Sequence, residues 1–136
     1  MSLTVIELIT DALVEINVID VNEAPTAEQG VAALRRLNQM LADWETDGIR
    51  IGYYPQTDMA ANVPIERSDE LGVTLNLAVE LAPGYGIEPL DSLKTRAGDY
   101  YASLAKQSLQ YFESDMTMLP TADTGPWYYR GGFNGA

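Results

Sequence analysis

Hydrophobic residues recur at intervals of three and four along most of the chain, the spacing of one buried face on an α-helix. Thr4 with Glu7 and Thr26 with Gln29 have the spacing of capping boxes, which satisfy the free amides at a helix start. They predict a first helix from near residue 4 and a second from residue 26 to about residue 47. Gly48 then supplies the left-handed residue that commonly ends a helix. The predicted buried faces are Val5, Leu8, Ile9, Ala12, Leu13 and Ile16, then Ala27, Val31, Leu34, Leu37, Met40, Leu41 and Trp44.

The second half of the chain predicts two more helices. Ser68 is the predicted N-cap of the third, with Asp69 and Glu70 placed to complement the positive end of the helix dipole. Residues 83–86 contain Pro and two Gly and end that helix, and Pro89 fits the first turn of a long fourth helix. The predicted buried faces are Leu71, Leu75, Ala78, Val79 and Ala82, then Leu90, Leu93, Ala97, Tyr100, Tyr101, Leu104, Ser108, Leu109 and Phe112.

Residues 49–66 break the helical pattern, because Ile49, Ile51 and Tyr53 alternate with other residues and a polar stretch with two Pro follows. This pattern predicts a short extended piece and a long loop, or a short hairpin, between helices 2 and 3. A loop of this length is uncommon in a compact domain unless it binds something, so the segment is either a contact surface or an inert connection. The predicted fold is all-α, a small bundle of about four helices.

After Glu113 the periodicity ends, and the last residues combine Pro and Gly with a group of aromatic side chains. The sequence therefore predicts a helical domain at residues 1–112 and an extended C-terminal docking tail at residues 113–136. Aromatic groups gain free energy from burial, so we expect them to dock on another surface or to fold back on their own domain. The predicted docking residues are Trp127, Tyr128, Tyr129, Arg130 and Phe133.

Composition removes most familiar chemistry from consideration. The chain has no Cys and no His, which excludes disulfides, thiolate sites and the commonest general base and zinc ligand. The formal charge is -12, all of it arising in residues 1–91, and a surface of this sign repels phosphate backbones. No apolar run approaches a membrane span and the amino terminus lacks a basic signal segment, so we expect a cytosolic chain with no membrane contact.

Two groups of carboxylates allow a glycan hydrolase as a minor alternative, because a carboxylate pair is able to cleave a glycosidic bond. They are Asp43, Glu45 and Asp47, and Glu66, Asp69 and Glu70. Helix dipoles and solubility explain both groups without catalysis. Residues 43–48 lack the ligand alternation of a calcium loop, and no glycine-rich phosphate loop precedes a helix. We therefore predict no catalytic, cofactor-binding or metal site.

Several segments together resemble a known family. Residues 34–41, with Trp44, the Asp-Gly-Ile run at 47–49, residues 51–53 and the Leu-Ala-Pro run before Tyr85, resemble the head-to-tail adaptor proteins of short-tailed bacteriophages. These are also called packaged-DNA stabilisation proteins or tail accessory factors. The likeness covers roughly residues 4–112 and depends on order and spacing as much as on identity.

This resemblance implies a structural virion protein without enzymatic activity, located at the portal vertex after assembly in the host cytoplasm. It implies a ring, typically of twelve copies, that binds the portal protein, extends the DNA channel without gripping DNA, and forms a platform for tail nozzle, tail fibre or tailspike proteins. The tail residues named above are the expected portal contacts, and we expect monomers before assembly. The expected subunit contacts are Arg35, Arg36, Ile51, Tyr53 and Tyr54. The main alternative is a head-completion or tail-completion connector of a long-tailed phage.

Overall fold

The computed structural model describes the backbone of residues 3–118 and the side chains of residues 3–109. This part contains four helices, α1 Val5–Glu15, α2 Ala27–Thr46, α3 Arg67–Leu81 and α4 Asp91–Met118, with a 3₁₀ turn at Ala82–Tyr85 after α3. The predicted all-α bundle is confirmed. No strand occurs among the described residues, where one isolated antiparallel bridge joins Thr4 to Asn62, so residues 47–66 form a loop rather than a hairpin.

Both predicted capping boxes are present. The Glu7 amide donates to Thr4 Oγ1 at 3.2 Å and the Thr4 amide donates to Glu7 Oε1 at 2.9 Å. Thr26 and Gln29 exchange the same pair of bonds at 3.1 and 2.9 Å. Because these bonds satisfy amides that have no partner within the helix, the starts of α1 and α2 are fixed by local sequence.

The other helix boundaries follow the prediction less closely. Gly48 has φ 94° after the end of α2, as predicted. The predicted cap at Ser68 is wrong, because the chain is already helical from Arg67 and Glu66 is the N-cap, without a side-chain bond. Pro89 lies before the start of α4 at Asp91 instead of inside its first turn. α4 continues to Met118, beyond the domain boundary predicted at residue 112, whose position stays a prediction.

The helix α3 lies at the centre of the bundle, where it packs against α1, α2 and α4. Its residues 72–75 are buried without interruption, since neighbours surround it on several sides. All six predicted face residues of α1 are buried as well. The largest fully buried side chains are Leu8, Ile9, Leu13, Leu37, Leu75, Leu77, Val5 and Val73.

Some predicted core positions face solvent. Val31 is 57% exposed, Leu71 44%, Leu90 70% and Leu109 56%, and Ala27 is also exposed. In α2 the buried positions near the start are Gly30 and Ala33, where α2 approaches Met59 of the loop and Ile6 of α1. The periodicity identified helices correctly, whereas the buried side of each depends on neighbours that come from distant sequence.

Two polar contacts fix α3 against its neighbours. The Asn76 side chain donates to the carbonyl of Ala97 in α4 at 2.9 Å as well as to that of Gly72 in its own helix at 2.8 Å. In the first turn of α3, Glu70 Oε2 accepts from the amide of Leu3 at 3.1 Å. These bonds satisfy polar groups inside the bundle and set how α3 lies against α4 and against the start of α1.

Candidate interaction surfaces

The loop after α2 is held against that helix by one amide side chain. Asn38 Nδ2 donates to the carbonyl of Gln56 at 3.1 Å, and Asn38 Oδ1 accepts from the Gln56 amide at 3.0 Å and from the Tyr53 hydroxyl. Gln56 is buried, with 7% of its surface exposed, and its side chain donates to the carbonyl of Tyr54 at 2.8 Å. Burial raises the pKa of Tyr53 to about 12. This group, which we call the Asn38 clasp, gives the loop a fixed path.

The clasp separates the predicted loop contacts into two kinds. Ile51 and Tyr53 are partly buried and pack against the core, whereas Tyr54 is 63% exposed. Within the described residues, Tyr54 is therefore the member of this set that presents a large free aromatic surface. An intermolecular role for all three stays a prediction.

The two predicted arginines lie in different surroundings on α2. Arg35 is exposed, and Arg36 Nη1 lies 4.0 Å from Glu80 Oε1 of α3, with both side chains about half exposed. An exposed pair at this distance contributes little to stability, typically about 0–1 kcal/mol. Arg36 thus already has an acidic neighbour within its own chain.

An acidic cleft of about 430 Å³ lies between α2 and α4, and no pattern in the sequence predicted it. On its floor the rings of Trp44 and Tyr101 meet edge to face, with centroids 5.3 Å apart and planes at 73°. The Tyr101 hydroxyl donates to Asp47 Oδ2 at 3.2 Å, and the pKa of Tyr101 is raised by burial and by this carboxylate. The lining residues are Arg36, Gln39, Met40, Asp43, Trp44, Asp47, Glu80 and Tyr101.

The field in this cleft is negative for two reasons. Asp43, Asp47 and Glu80 line it against one base, Arg36. Asp43 is in the last turn of α2 and Asp47 is the C-cap, so both carboxylates add to the negative end of the helix dipole. The last turn contains no basic residue that would offset this charge. We call this surface the α2–α4 cleft; its chemistry suits a cationic group that stacks on an aromatic floor.

The second group of carboxylates, Glu66, Asp69 and Glu70, lies at the start of α3, where two of its members contact other parts of the bundle. Glu70 binds the Leu3 amide, as described above, and Asp69 is only 8% exposed. Burial, with the charge of Glu66, raises the pKa of Asp69. Asp69 lines a second, smaller cavity of about 180 Å³ between α3 and α4, together with Ser68, Gly72, Tyr100, Ser103, Leu104 and Gln107.

The described residues form neither a metal-binding cluster of carboxylates nor a membrane-spanning helix. Among residues 3–109, no group of three or more carboxylates is arranged to hold a metal ion. None of the four helices, as far as the structure describes them, combines the length and apolar character needed to cross a membrane. The predicted portal contacts Trp127, Tyr128, Tyr129, Arg130 and Phe133 lie outside the described residues.

Comparison with known proteins identifies the family of this chain. A comparison with curated proteins gives no match. A family model described as the P22 tail accessory factor matches residues 4–122, which includes all four helices. That description denotes a structural component of the phage virion that works with other virion proteins. The resemblance found in the sequence is therefore confirmed, and the chain belongs to the P22 tail accessory factor family of short-tailed bacteriophages.

Proposed function

We propose that this protein is a head-to-tail adaptor, a non-enzymatic subunit that assembles as a ring of twelve copies on the portal protein. The observation that carries the proposal is the family match over residues 4–122, since it covers the whole helical body rather than one motif. In this role the ring lies at the portal vertex, extends the DNA channel and forms the platform for tail nozzle, tail fibre or tailspike proteins.

The charge of the helical body supports passage of DNA without binding. The chain carries a formal charge of -12, and among the described residues only Glu80, Glu88 and Asp91 lie within 4.0 Å of a base. The remaining carboxylates keep their charge unpaired there, so the surface repels phosphates. An adaptor lining a channel needs this property, because DNA has to slide through it during packaging and ejection.

The C-terminal aromatic residues supply the portal contact in this proposal. Residues 119–136 follow directly on α4 and contain Trp127, Tyr128, Tyr129 and Phe133 with a single base, Arg130. Aromatic and arginine side chains are the types that most often dominate protein interfaces.

Negative-stain microscopy of the full chain mixed with the cognate portal ring tests the proposal. We expect an added ring of density on one end of the portal, in a fixed ratio of subunits to portal. Absence of a stoichiometric complex overturns the adaptor role. The decisive variant deletes residues 119–136, which keeps α4 whole to Met118, and should abolish the complex while the circular dichroism and melting temperature stay close to those of the full chain.

A substitution variant separates docking from folding. Replacing Trp127, Tyr128 and Tyr129 together with serine should weaken portal binding almost as much as the deletion does. Removal of the last three residues, 134–136, is the matched control and should leave binding unchanged. If the deletion lowers the melting temperature strongly, the tail packs on its own domain, and the docking role assigned to it is wrong.

A further inference from the structure

The charge of the chain constrains how identical copies can meet. Each copy carries -12, so two copies repel each other, and a contact that places a base of one copy against acids of the other offsets this repulsion. A ring also needs a head-to-tail contact, in which two different surfaces of each subunit meet. An acidic surface and a basic surface on different sides of one subunit would therefore favour the ring of the proposed function.

The acidic surface is the α2–α4 cleft. It presents Asp43, Asp47 and Glu80 over the Trp44–Tyr101 pair, and Arg36 is the one base among its described lining residues. An incoming guanidinium would find carboxylates as hydrogen-bond acceptors and an aromatic pair beneath them, a combination that arginine fits better than lysine.

The basic surface is found by elimination. In the described part of the chain, salt bridges use only Arg36 and Lys94, so the bases without a carboxylate within 4.0 Å are Arg35, Arg50, Arg67, Arg96 and Lys106. Arg35 adjoins Arg36 on α2 and Arg50 follows the end of α2. Both therefore belong to the segment that carries Asp43 and Asp47, so neither supplies a basic surface on an element apart from the acidic one.

Arg96 is on the opposite flank of α4. Five residues separate it from Tyr101, which turns it about 140° around the helix, and the buried residues Leu93, Ala97 and Leu104 lie between the two flanks. The side chain of Arg96 is exposed. One subunit therefore presents Tyr101 with the cleft on one side of α4 and Arg96 on the other.

Arg96 also has the right height along the bundle. The carbonyl of the next residue, Ala97, accepts from Asn76, one helical turn of α3 before Glu80 in the cleft. Tyr101, at the other end of the cleft, is about 7.5 Å further along α4 than Arg96. For a ring axis parallel to α4, rotation preserves height and brings Arg96 of one copy level with the cleft of the next. Arg67, at the start of α3, and Lys106, which follows Tyr101 in α4, lie further from this level than Arg96 does.

We propose that Arg96 of each subunit binds in the α2–α4 cleft of the neighbouring subunit and forms the charged centre of the ring contact. This inference rests on the proposed function for its setting, since the contact closes a ring on the portal. It names an arginine in α4, in addition to the residues of α2 and the loop that the sequence suggested.

A charge swap tests the contact on the full chain. Arg96→Glu and Asp43→Lys, each alone, should weaken assembly on the cognate portal by about tenfold or more, and the double variant should return to within about threefold of the unsubstituted chain. The readout is the number of copies bound per portal ring against protein concentration, by mass photometry. Lys106→Glu and Glu28→Lys are the matched controls, because they make the same charge changes on exposed residues away from both surfaces.

The outcomes separate the inference from the proposed function. A double variant no better than the single ones, or controls that weaken assembly equally, overturns the Arg96 contact while the unsubstituted chain still builds a ring. Should the unsubstituted chain fail to bind the portal, the adaptor role falls, and a second measurement still decides the contact. The chain has no natural Cys, so Asp43→Cys with Arg96→Cys, oxidised in concentrated solution, should give ladders beyond dimers; dimers alone overturn the head-to-tail contact.

Discussion

The helices α3 and α4 pack against each other, yet they differ in how much of their surface the bundle covers. α3 buries residues 72–75 in succession and contacts all three other helices. In the part of α4 whose side chains the structure describes, residues 91–109, the buried residues are single positions, Leu93, Ala97 and Leu104, separated by exposed ones. We infer that α3 supplies most of the stability, whereas α4 keeps two free flanks and leads to the C-terminal segment that partners are expected to bind.

The largest expected effect separates these two helices directly. Leu75 of α3 is fully buried, so Leu75→Ala should lower the free energy of unfolding by about 2–5 kcal/mol through lost burial and a cavity. Leu109 of α4 is 56% exposed, and Leu109→Ala should change it by less than about 0.5 kcal/mol. Urea unfolding followed by circular dichroism measures both. Equal losses would mean that α4 contributes to the core as much as α3.

A second prediction concerns the Asn38 clasp, which joins α2 to the loop. Asn38→Ala removes three hydrogen bonds to Tyr53 and Gln56 and should cost about 1–3 kcal/mol, because buried polar groups lose their partners. Hydrogen exchange at the Gln56 amide should become faster. The amides of α3 should lose less protection than those of the loop. Gln39→Ala, an exposed neighbour on α2, is the control. An unchanged loop would show that apolar packing of Ile51 is sufficient to hold it.

What the sequence could predict follows from the range of the interactions. The starts of α1 and α2 depend on residues three apart, and Gly48 on its own φ, so each was readable from a short stretch. The exposed side of Leu71 was not, because three neighbours decide which sides of α3 are covered. A periodic stripe describes a helix with one buried face, and α3 has more than one.

The α2–α4 cleft shows the same limit for the candidate site. Trp44 and Tyr101 were each expected in a buried face, but nothing in the sequence indicated that their rings touch or that Asp47 would bind Tyr101. Their separation of more than fifty residues leaves no local signal. The acidic character of α2's last turn was visible, whereas the surface it creates requires α4 beside it.

One glycine in α3 and one in α4 differ in whether a neighbouring element covers them. A Cβ on Gly72 of α3 would lie 3.1 Å from the Tyr100 Cβ, whereas one on Gly98 of α4 meets nothing within 4 Å. Gly98→Ala should therefore stabilise the protein by about 0.5–1 kcal/mol through helix propensity. Gly72→Ala should lose about 1 kcal/mol overall, because crowding outweighs that gain. Thermal unfolding of the two variants should give shifts of opposite sign; a stabilising Gly72→Ala would show that α3 and α4 separate easily.

The smallest expected effect is a pH dependence at the start of α3. Burial, then the charge of Glu66, raises the pKa of Asp69 above 3.8, so the folded state holds this proton more tightly than the unfolded chain. Stability from this group is greatest below the unfolded pKa and falls as pH rises through the folded pKa. Asp69→Asn should flatten that fall above about pH 4 in urea unfolding and leave stability at pH 7 equal or higher. Asp99→Asn on the exposed side of α4 is the control. If Asp69→Asn lowers stability at pH 7 while Asp99→Asn does not, the ionised carboxylate stabilises the first turn of α3 through the helix dipole, and that gain exceeds the cost of its burial.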